Sequence, residues 1–170
     1  MPSFAKFDIW QNNAGVTRQT PLQVVQSTLT SQFETSATTV DFNWSVTITP
    51  SSSSNKILIS MHSFSFLTRS HSDVCKIWLE RSIGGGGFTR IQSPANYLGQ
   101  GAVSSGGAGC EETYPNMMFL DSPATTLAVT YKITGQKNGS SGNNVAWNHN
   151  NTDPGDSVKK ATLIAMEISQ

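Results

Sequence analysis

Aromatic and amide side chains stand together in one short segment, Trp147-Asn148-His149 followed by Asn150 and Asn151. An aromatic ring can stack on the apolar face of a sugar while neighbouring polar groups hydrogen-bond to its hydroxyls. Trp147, Asn148 and His149 are therefore candidate glycan contacts. The alternative is that Trp147 is a core residue at the end of a strand and that the asparagines form the turn after it.

Acidic residues occur in two close pairs, Glu111 with Glu112 and Asp153 with Asp156. Paired carboxylates can hydrolyse a glycosidic bond, but only at a defined separation. Both pairs stand in turn-like segments where Asp and Glu are ordinary, and the Asp-Pro-Gly-Asp segment lacks the oxygen-rich repeat of a calcium loop. We predict that the protein is not an enzyme.

The histidines and glycines form no metal or phosphate motif. His62, His71 and His149 are scattered, and the chain has neither the His-x-x-x-His nor the Cys-x-x-Cys spacing of a zinc site. The four consecutive glycines at 84–87 are followed by no Lys-Ser/Thr pair and no helix, so they predict a hairpin turn rather than a phosphate loop. The sequence therefore predicts no metal and no cofactor.

The charge balance restricts the classes of partner. The 170-residue chain has 11 basic and 11 acidic residues, and charged residues make up 13% of it, roughly half the usual fraction of about 25%. Without a basic excess, nucleic acid is not an expected partner. A surface poor in charge is typical of extracellular β-proteins and virion shells, and part of it is expected to be an interface.

The cysteines and the N-terminus restrict the compartment. Cys75 and Cys110 are the two cysteines of the chain, too few for a disulfide framework, and free thiols are the expected state, with Cys75 buried. The redox state in a virion without a membrane stays open. Residues 1–8 show no secretory pattern, and no apolar run approaches the roughly 20 residues that cross a bilayer, so no membrane insertion is expected.

Alternation of apolar and polar residues predicts the elements that position these side chains. Leu127, Val129, Tyr131 and Ile133 form one apolar row of a strand. Similar patterns and their flanking turn residues predict strands near 22–30, 43–49, 56–66, 73–83, 87–92, 116–121, 125–134, 143–148 and 158–169, with a further short strand or bulged turn at 32–39. Loops are expected at 84–87, 96–112 and 135–144. With no convincing helix, the sequence predicts an all-β, antiparallel two-sheet sandwich of the jelly-roll kind.

Three strand patterns carry more specific predictions. The apolar parity changes within 57–66, which requires a bulge near His62 or burial of both faces. At the centre of 158–169 neither face is polar, so this strand is expected in the middle of a sheet. Trp78 lies on the strand face opposite three apolar residues, and we predict it as a contact between subunits.

Residues 1–21 differ from the rest of the chain. Phe4, Phe7 and Trp10 are large aromatic residues in a segment too short to fold alone, so their rings must be buried either on the home domain or on a neighbour. We predict two parts: an N-terminal docking arm, 1–21, with these three residues as anchors, and a sandwich domain, 22–170.

Five segments together span nearly the whole chain: Trp10–Val16, Leu22–Gln26, Ile48–Ile59, Phe119–Thr126 and Thr162–Ile168. In amino-acid sequence these segments resemble a module of bacteriophage virion proteins, especially fibre-like proteins of marine and cyanobacterial phages. The resemblance implies a jelly-roll domain, commonly trimeric, that serves as a knob on a fibre or on a capsid surface, and it transfers no catalytic residue. No long repetitive shaft precedes the module, which favours a decoration, cement or head-fibre protein.

These patterns predict a non-enzymatic structural protein on the outer surface of a phage capsid or tail. It would be a homotrimer that docks onto other virion proteins through its N-terminal arm. The alternative is the receptor-binding tip of a tail fibre, which would recognise a host surface glycan through the Trp147 segment. A tip enzyme that cleaves glycans through one of the acidic pairs is the third interpretation.

Overall fold

A computed structural model describes residues 21–68, 74–91, 99–102, 111–113, 116–138, 145–148 and 160–169. Within these ranges the chain forms strands and no helix, and therefore no helix that could span a membrane. The strands are β1 (Pro21–Leu29), β2 (Phe33–Thr35), β3 (Thr39–Ile48), β4 (Lys56–His62), β5 (Phe66–Thr68), β6 (Val74–Ile83), β7 (Thr89–Arg90), β8 (Gly99–Ala102), β9 (Glu111–Thr113), β10 (Met117–Asp121), β11 (Val129–Asn138), β12 (Val145–Trp147) and β13 (Ala161–Ile168).

The main strands pair as a long antiparallel hairpin that is wrapped around itself. β1 pairs with β13, β3 with β11, β4 with β10, and β6 with β7 and β8. Two further pairings, of β13 with β4 and of β11 with β6, wrap the hairpin into a first sheet, β1-β13-β4-β10, and a second sheet, β3-β11-β6-β7. These nested pairs are the arrangement of a jelly roll, so the predicted antiparallel sandwich is confirmed.

The first and second sheets enclose one apolar core, because alternate residues of each strand point inwards. The indole nitrogen of Trp44 donates to the carbonyl of Ser27 at 3.3 Å and links β3 of the second sheet to β1 of the first. Each fully buried aliphatic side chain contributes on the order of 2 kcal/mol. The buried members of the core include Phe42, Ile57, Ile59, Met61, Leu79, Tyr131, Ile133 and Leu163.

A smaller third sheet, β2-β12-β5-β9, carries an aromatic cluster that continues the core. The ring of Phe42 lies 5.4 to 5.5 Å from the rings of Phe33, Phe64 and Trp147. Gly135 of β11 makes room for this cluster. A Cβ atom at that position would lie 2.8 Å from Phe42 Cζ and 3.1 Å from two atoms of the Trp147 ring.

A buried polar cluster connects the two main sheets. Asp121 of β10 accepts hydrogen bonds from Arg81 Nη1 at 2.8 and 2.9 Å and from the Tyr131 hydroxyl at 2.7 Å. Burial raises the pKa of Tyr131, and the hydrogen bond to Asp121 and its charge raise it further. Tyr131 therefore stays a protonated donor at neutral pH and holds β11 against β10.

Several local predictions agree with the structure. The final strand, β13, lies between β1 and β4 in the middle of its sheet. Gly84 and Gly85 have φ of 60° and 79° and form the turn of the β6–β7 hairpin, closed by the Gly86 amide, which donates to the Ile83 carbonyl at 3.1 Å. Cys75 is fully buried, as expected.

Other local predictions need correction. β4 ends at His62, and Ser63 follows with φ of 60°, so the parity change marks a break between two strands. Leu127 is exposed and precedes β11, which instead continues through Gly135 to Asn138. The predicted loop at 96–112 contains the short strand β8 and most of β9. The sequence does not indicate these strands, because one is Gly-rich and the other has three residues, so neither shows a periodic pattern.

Candidate assembly surface

Four apolar side chains form a row across the outer face of the first sheet. Val24 of β1 is paired with Met166 of β13, Met166 with Leu58 of β4, and Leu58 with Leu120 of β10. Side chains of directly paired residues project from the same face of a sheet. The row therefore runs without interruption across all four strands.

The neighbouring positions extend this row into a surface. Ile164 is paired with Gln26 on one side and Ser60 on the other, and Ser60 is paired with Met118. Leu22 and Ile168 follow at the other end of the row. We call this surface the apolar face and define it by its eight outward apolar residues: Leu22, Val24, Leu58, Met118, Leu120, Ile164, Met166 and Ile168.

The exposed apolar area of the described residues is concentrated here. Met118 is 72% exposed, Val24 and Leu120 are each 49% exposed, and Leu22 is 41% exposed. Among the described residues only two other large apolar side chains, Phe88 and Leu127, are exposed, and neither lies on the first sheet. Single exposed apolar residues are normal, whereas a contiguous patch marks a contact surface.

The apolar face carries almost no charge. Of the outward residues on these four strands, only Lys56 and His62 can ionise, and they lie at opposite ends of β4. The acidic side chains of the same strands turn inwards. Glu167 is buried and accepts hydrogen bonds from the Ser51 amide at 2.6 Å and from Asn55 Nδ2 at 2.7 Å, which fastens the turn before β4.

The outer face of the second sheet is built from ion pairs. Lys132 Nζ lies 2.8 Å from Asp41 Oδ2 and 3.7 Å from Glu80 Oε2, and Arg90 Nε lies 3.5 Å from Glu80 Oε1. Aromatic rings lie beneath the cations, at 4.3 Å for Arg90 over Trp78 and 4.2 Å for Lys132 over Phe88. We call this surface the ionic face; its members are Asp41, Trp78, Glu80, Phe88, Arg90 and Lys132.

Asp41 shows how closely the ionic face is paired. Partial burial raises the pKa of this carboxyl, but the hydrogen bonds from Lys132 Nζ and the Asn43 amide, together with the Lys132 charge, lower it below the ordinary value of 3.8. The Asn43 amide donates to Asp41 Oδ1 at 2.9 Å. Asp41 is therefore ionised and satisfied within its own chain.

Trp78 lies opposite Cys75, Ile77 and Leu79, as the alternation predicted, but it offers little to a second subunit. Only 6% of its surface is exposed. Its indole nitrogen donates to Gln136 Oε1 at 3.0 Å, and the Arg90 guanidinium covers its ring. The open apolar surface is on the other sheet.

Trp147 and Asn148, the candidate glycan contacts, belong to the core. Trp147 is fully buried against Phe42, which leaves no ring face open to a sugar. Asn148 is also fully buried, with φ of 52°; its amide donates to the Ser65 carbonyl at 2.6 Å and its Nδ2 to the Ser31 carbonyl at 3.0 Å. The core interpretation of Trp147 agrees with this geometry, and glycan contact does not.

The remaining candidate residues are placed as follows. Glu111 and Glu112 lie on β9. The described part of the chain brings together no group of three or more His, Cys, Asp or Glu for a metal ion. Several candidates lie outside the described residues: Phe4, Phe7, Trp10, His71, Cys110, His149, Asp153 and Asp156.

No family model and no curated protein matches this chain. Solved structures do. One is a chain of the infectious bursal disease virus particle, with a TM-score of 0.44 and 12% identity over 99% of this chain and 41% of that chain. Another is the VP2 protein of the same virus in derived particles, with a TM-score of 0.43 and 14% identity over 98% of this chain and 40% of that chain. This chain thus spans about two fifths of their length.

Proposed function

We propose that this protein is a non-enzymatic structural component of a virion. The apolar face carries the proposal, because a contiguous apolar surface with almost no charge, running across all four strands of a sheet, is typical of a protein–protein contact. The jelly-roll pairing supports a shell or knob module. The sequence resemblance to phage virion proteins supports the particle as its place.

In its finer form, the proposal is a homotrimeric bacteriophage protein on the outside of the particle, of the capsid-decoration, cement or head-fibre type. Residues 1–21 are its attachment arm, with Phe4, Phe7 and Trp10 as the anchors on other virion proteins. The resemblance supports the trimer. The aromatic content of a segment that leads directly into Pro21, the first residue of β1, supports the arm.

Two measurements on matched proteins test the proposal. Light scattering gives the absolute mass of the full chain and of a chain that begins at Pro21, and co-sedimentation measures binding of each to particles that lack the protein. We expect a trimer in both forms and particle binding only with the arm. A full chain that is monomeric and does not sediment with particles would contradict the proposal. Loss of folding on truncation would assign residues 1–20 to the core.

A further inference from the structure

We propose that the apolar face is the surface through which copies of this chain contact one another. The inference rests on the proposed function, since it names the partner of the same surface. Three observations favour a second copy as the occupant: the charge, the distribution of polar residues and the size of the face.

The near absence of charge on the apolar face favours contact between copies of this chain. Copies of the same residue come close together around the axis of a homotrimer, so charges on a face turned towards that axis would meet like charges, which is strongly unfavourable when they are buried. The apolar face avoids this conflict, because Lys56 and His62 are its only ionisable outward residues and both lie at its ends. A partner with a strongly charged surface would find nothing here to pair with.

The distribution of side chains follows the anatomy of a subunit interface. Leu58, Ile164 and Met166 lie on the two central strands of the sheet, β4 and β13. Polar residues follow towards one end of the strands: Gln26, Thr28, Thr162 and His62. An apolar centre with a polar rim is the usual arrangement of specific interfaces. The side chain most exposed on the face, Met118, is of a type enriched in such surfaces because its flexible thioether adapts to a partner.

The size of the face is sufficient for a substantial part of one contact. Strands spaced about 4.8 Å apart with a rise of about 3.3 Å per residue give the apolar rows and their rim a flat area on the order of 500 Å². Protruding side chains make the accessible area larger than this. A specific interface buries about 800 Å² of accessible surface per partner, so the face is of the right order.

The ionic face is the weaker candidate for this contact. Its cations already pair with Asp41 and Glu80 and cover Trp78 and Phe88 within one chain. A partner would have to displace these contacts before forming its own. Val24, Met118 and Leu120, in contrast, are exposed side chains of the apolar face.

A matched pair of leucines tests the inference. Leu120 lies on the apolar face and is 49% exposed, whereas Leu127 lies before β11, away from that face, and is 58% exposed. Each is replaced by lysine in the full chain, and mass is measured by light scattering and sedimentation over a range of concentrations. L120K should raise the dissociation constant of the oligomer at least about 100-fold, as expected when a charge enters an apolar hot spot. L127K should leave it unchanged.

The outcomes separate the inference from the proposed function. Circular dichroism checks that each variant is folded. If L120K does not fold, M118K, at the most exposed position of the face, replaces it in the test. A wild-type trimer that persists in L120K and M118K overturns the inference but not the trimer. A monomeric wild type overturns both the inference and the trimer, while co-sedimentation still decides the role in the particle. If truncation at Pro21 exposes a dye-binding apolar surface without changing mass, residues 1–20 of the same chain cover the face, and the inference is overturned.

Discussion

The two main sheets of this sandwich present similar inner faces and opposite outer faces. Inside, both contribute aliphatic and aromatic side chains to one core. Outside, the second sheet pairs Lys132 with Asp41 and Glu80, while the first sheet aligns Val24, Met166, Leu58 and Leu120 in an uncharged row. One fold therefore combines a sheet surface whose charged side chains pair within the chain with a sheet surface whose apolar side chains remain exposed.

The difference has an energetic meaning for the single chain. Contacts on the ionic face are made in the isolated protomer, so they contribute to its free energy of unfolding. Exposed side chains on the apolar face stay in water until a partner covers them, so their apolar burial contributes only to association. Substitutions on the two faces should therefore appear in different measurements.

The largest loss in free energy of unfolding is expected at Gly135, because it packs against the core that supports both sheets. The change is Gly135→Val, whose branched side chain would collide with Phe42 and Trp147 behind β11. Overpacking of this kind costs about 3 kcal/mol. Urea unfolding should show that loss, and both mass and particle binding should fall together. A fully stable variant would show that the aromatic cluster can move aside.

The next largest effect compares the two faces by the loss in free energy of unfolding that one substitution on each face causes. Trp78→Ala removes a ring that is covered by Arg90 and that donates to Gln136, and we expect about 2 to 3 kcal/mol less free energy of unfolding. Met118→Ala removes an exposed side chain from the apolar face and should change unfolding of the protomer by less than about 0.5 kcal/mol. Urea unfolding at low protein concentration compares the two. Equal losses would contradict the division between the faces.

Lys132 provides a smaller test with a salt dependence. Lys132→Met keeps the apolar stem but removes the charge that pairs with Asp41 and Glu80 and lies over Phe88. We expect a loss of about 1 kcal/mol that shrinks in high salt, because salt screens partly exposed ion pairs. Self-association through the apolar face should not weaken in the same salt. A loss that is independent of salt would contradict the assignment of this contribution to partly exposed ion pairs.

Much of the fold could be predicted from the sequence, because alternation is a property of each strand by itself. The pattern of Val129, Tyr131 and Ile133 and the hairpin glycines predict structure locally. The short strands β8 and β9 were missed because they contain too few residues to show a period. The core position of Trp147 was one of two open interpretations, since the sequence does not show that β12 packs against Phe42.

The apolar face was not predicted, although its signal was present. Met117-Met118-Phe119-Leu120 is apolar on both faces of β10, and β13 has the same property. Each strand alone indicates only a central position in a sheet, and β10 is in fact at an edge. The surface becomes visible when the order β1-β13-β4-β10 is known, because that order joins residues far apart in the chain into one row.

The smallest effect is expected from Asp41, and it depends on pH. Its pKa is lower in the folded protein than the ordinary value of 3.8, so its ionised form stabilises the fold above that value. This contribution is lost as the pH falls through the lower, folded pKa. Asp41→Asn keeps an oxygen for the Asn43 amide and removes only the charge.

The urea midpoint of Asp41→Asn should therefore lie slightly below that of the wild type near neutral pH and converge with it as the pH falls through the folded pKa of Asp41. Because no carboxylate of the described residues points outwards on the apolar face, association through that face should not follow this titration. A mass that changes over the same acid range as the midpoint difference would couple the two faces and contradict their separation. A constant midpoint difference at every pH would assign the effect of Asp41 to hydrogen bonding rather than to its charge.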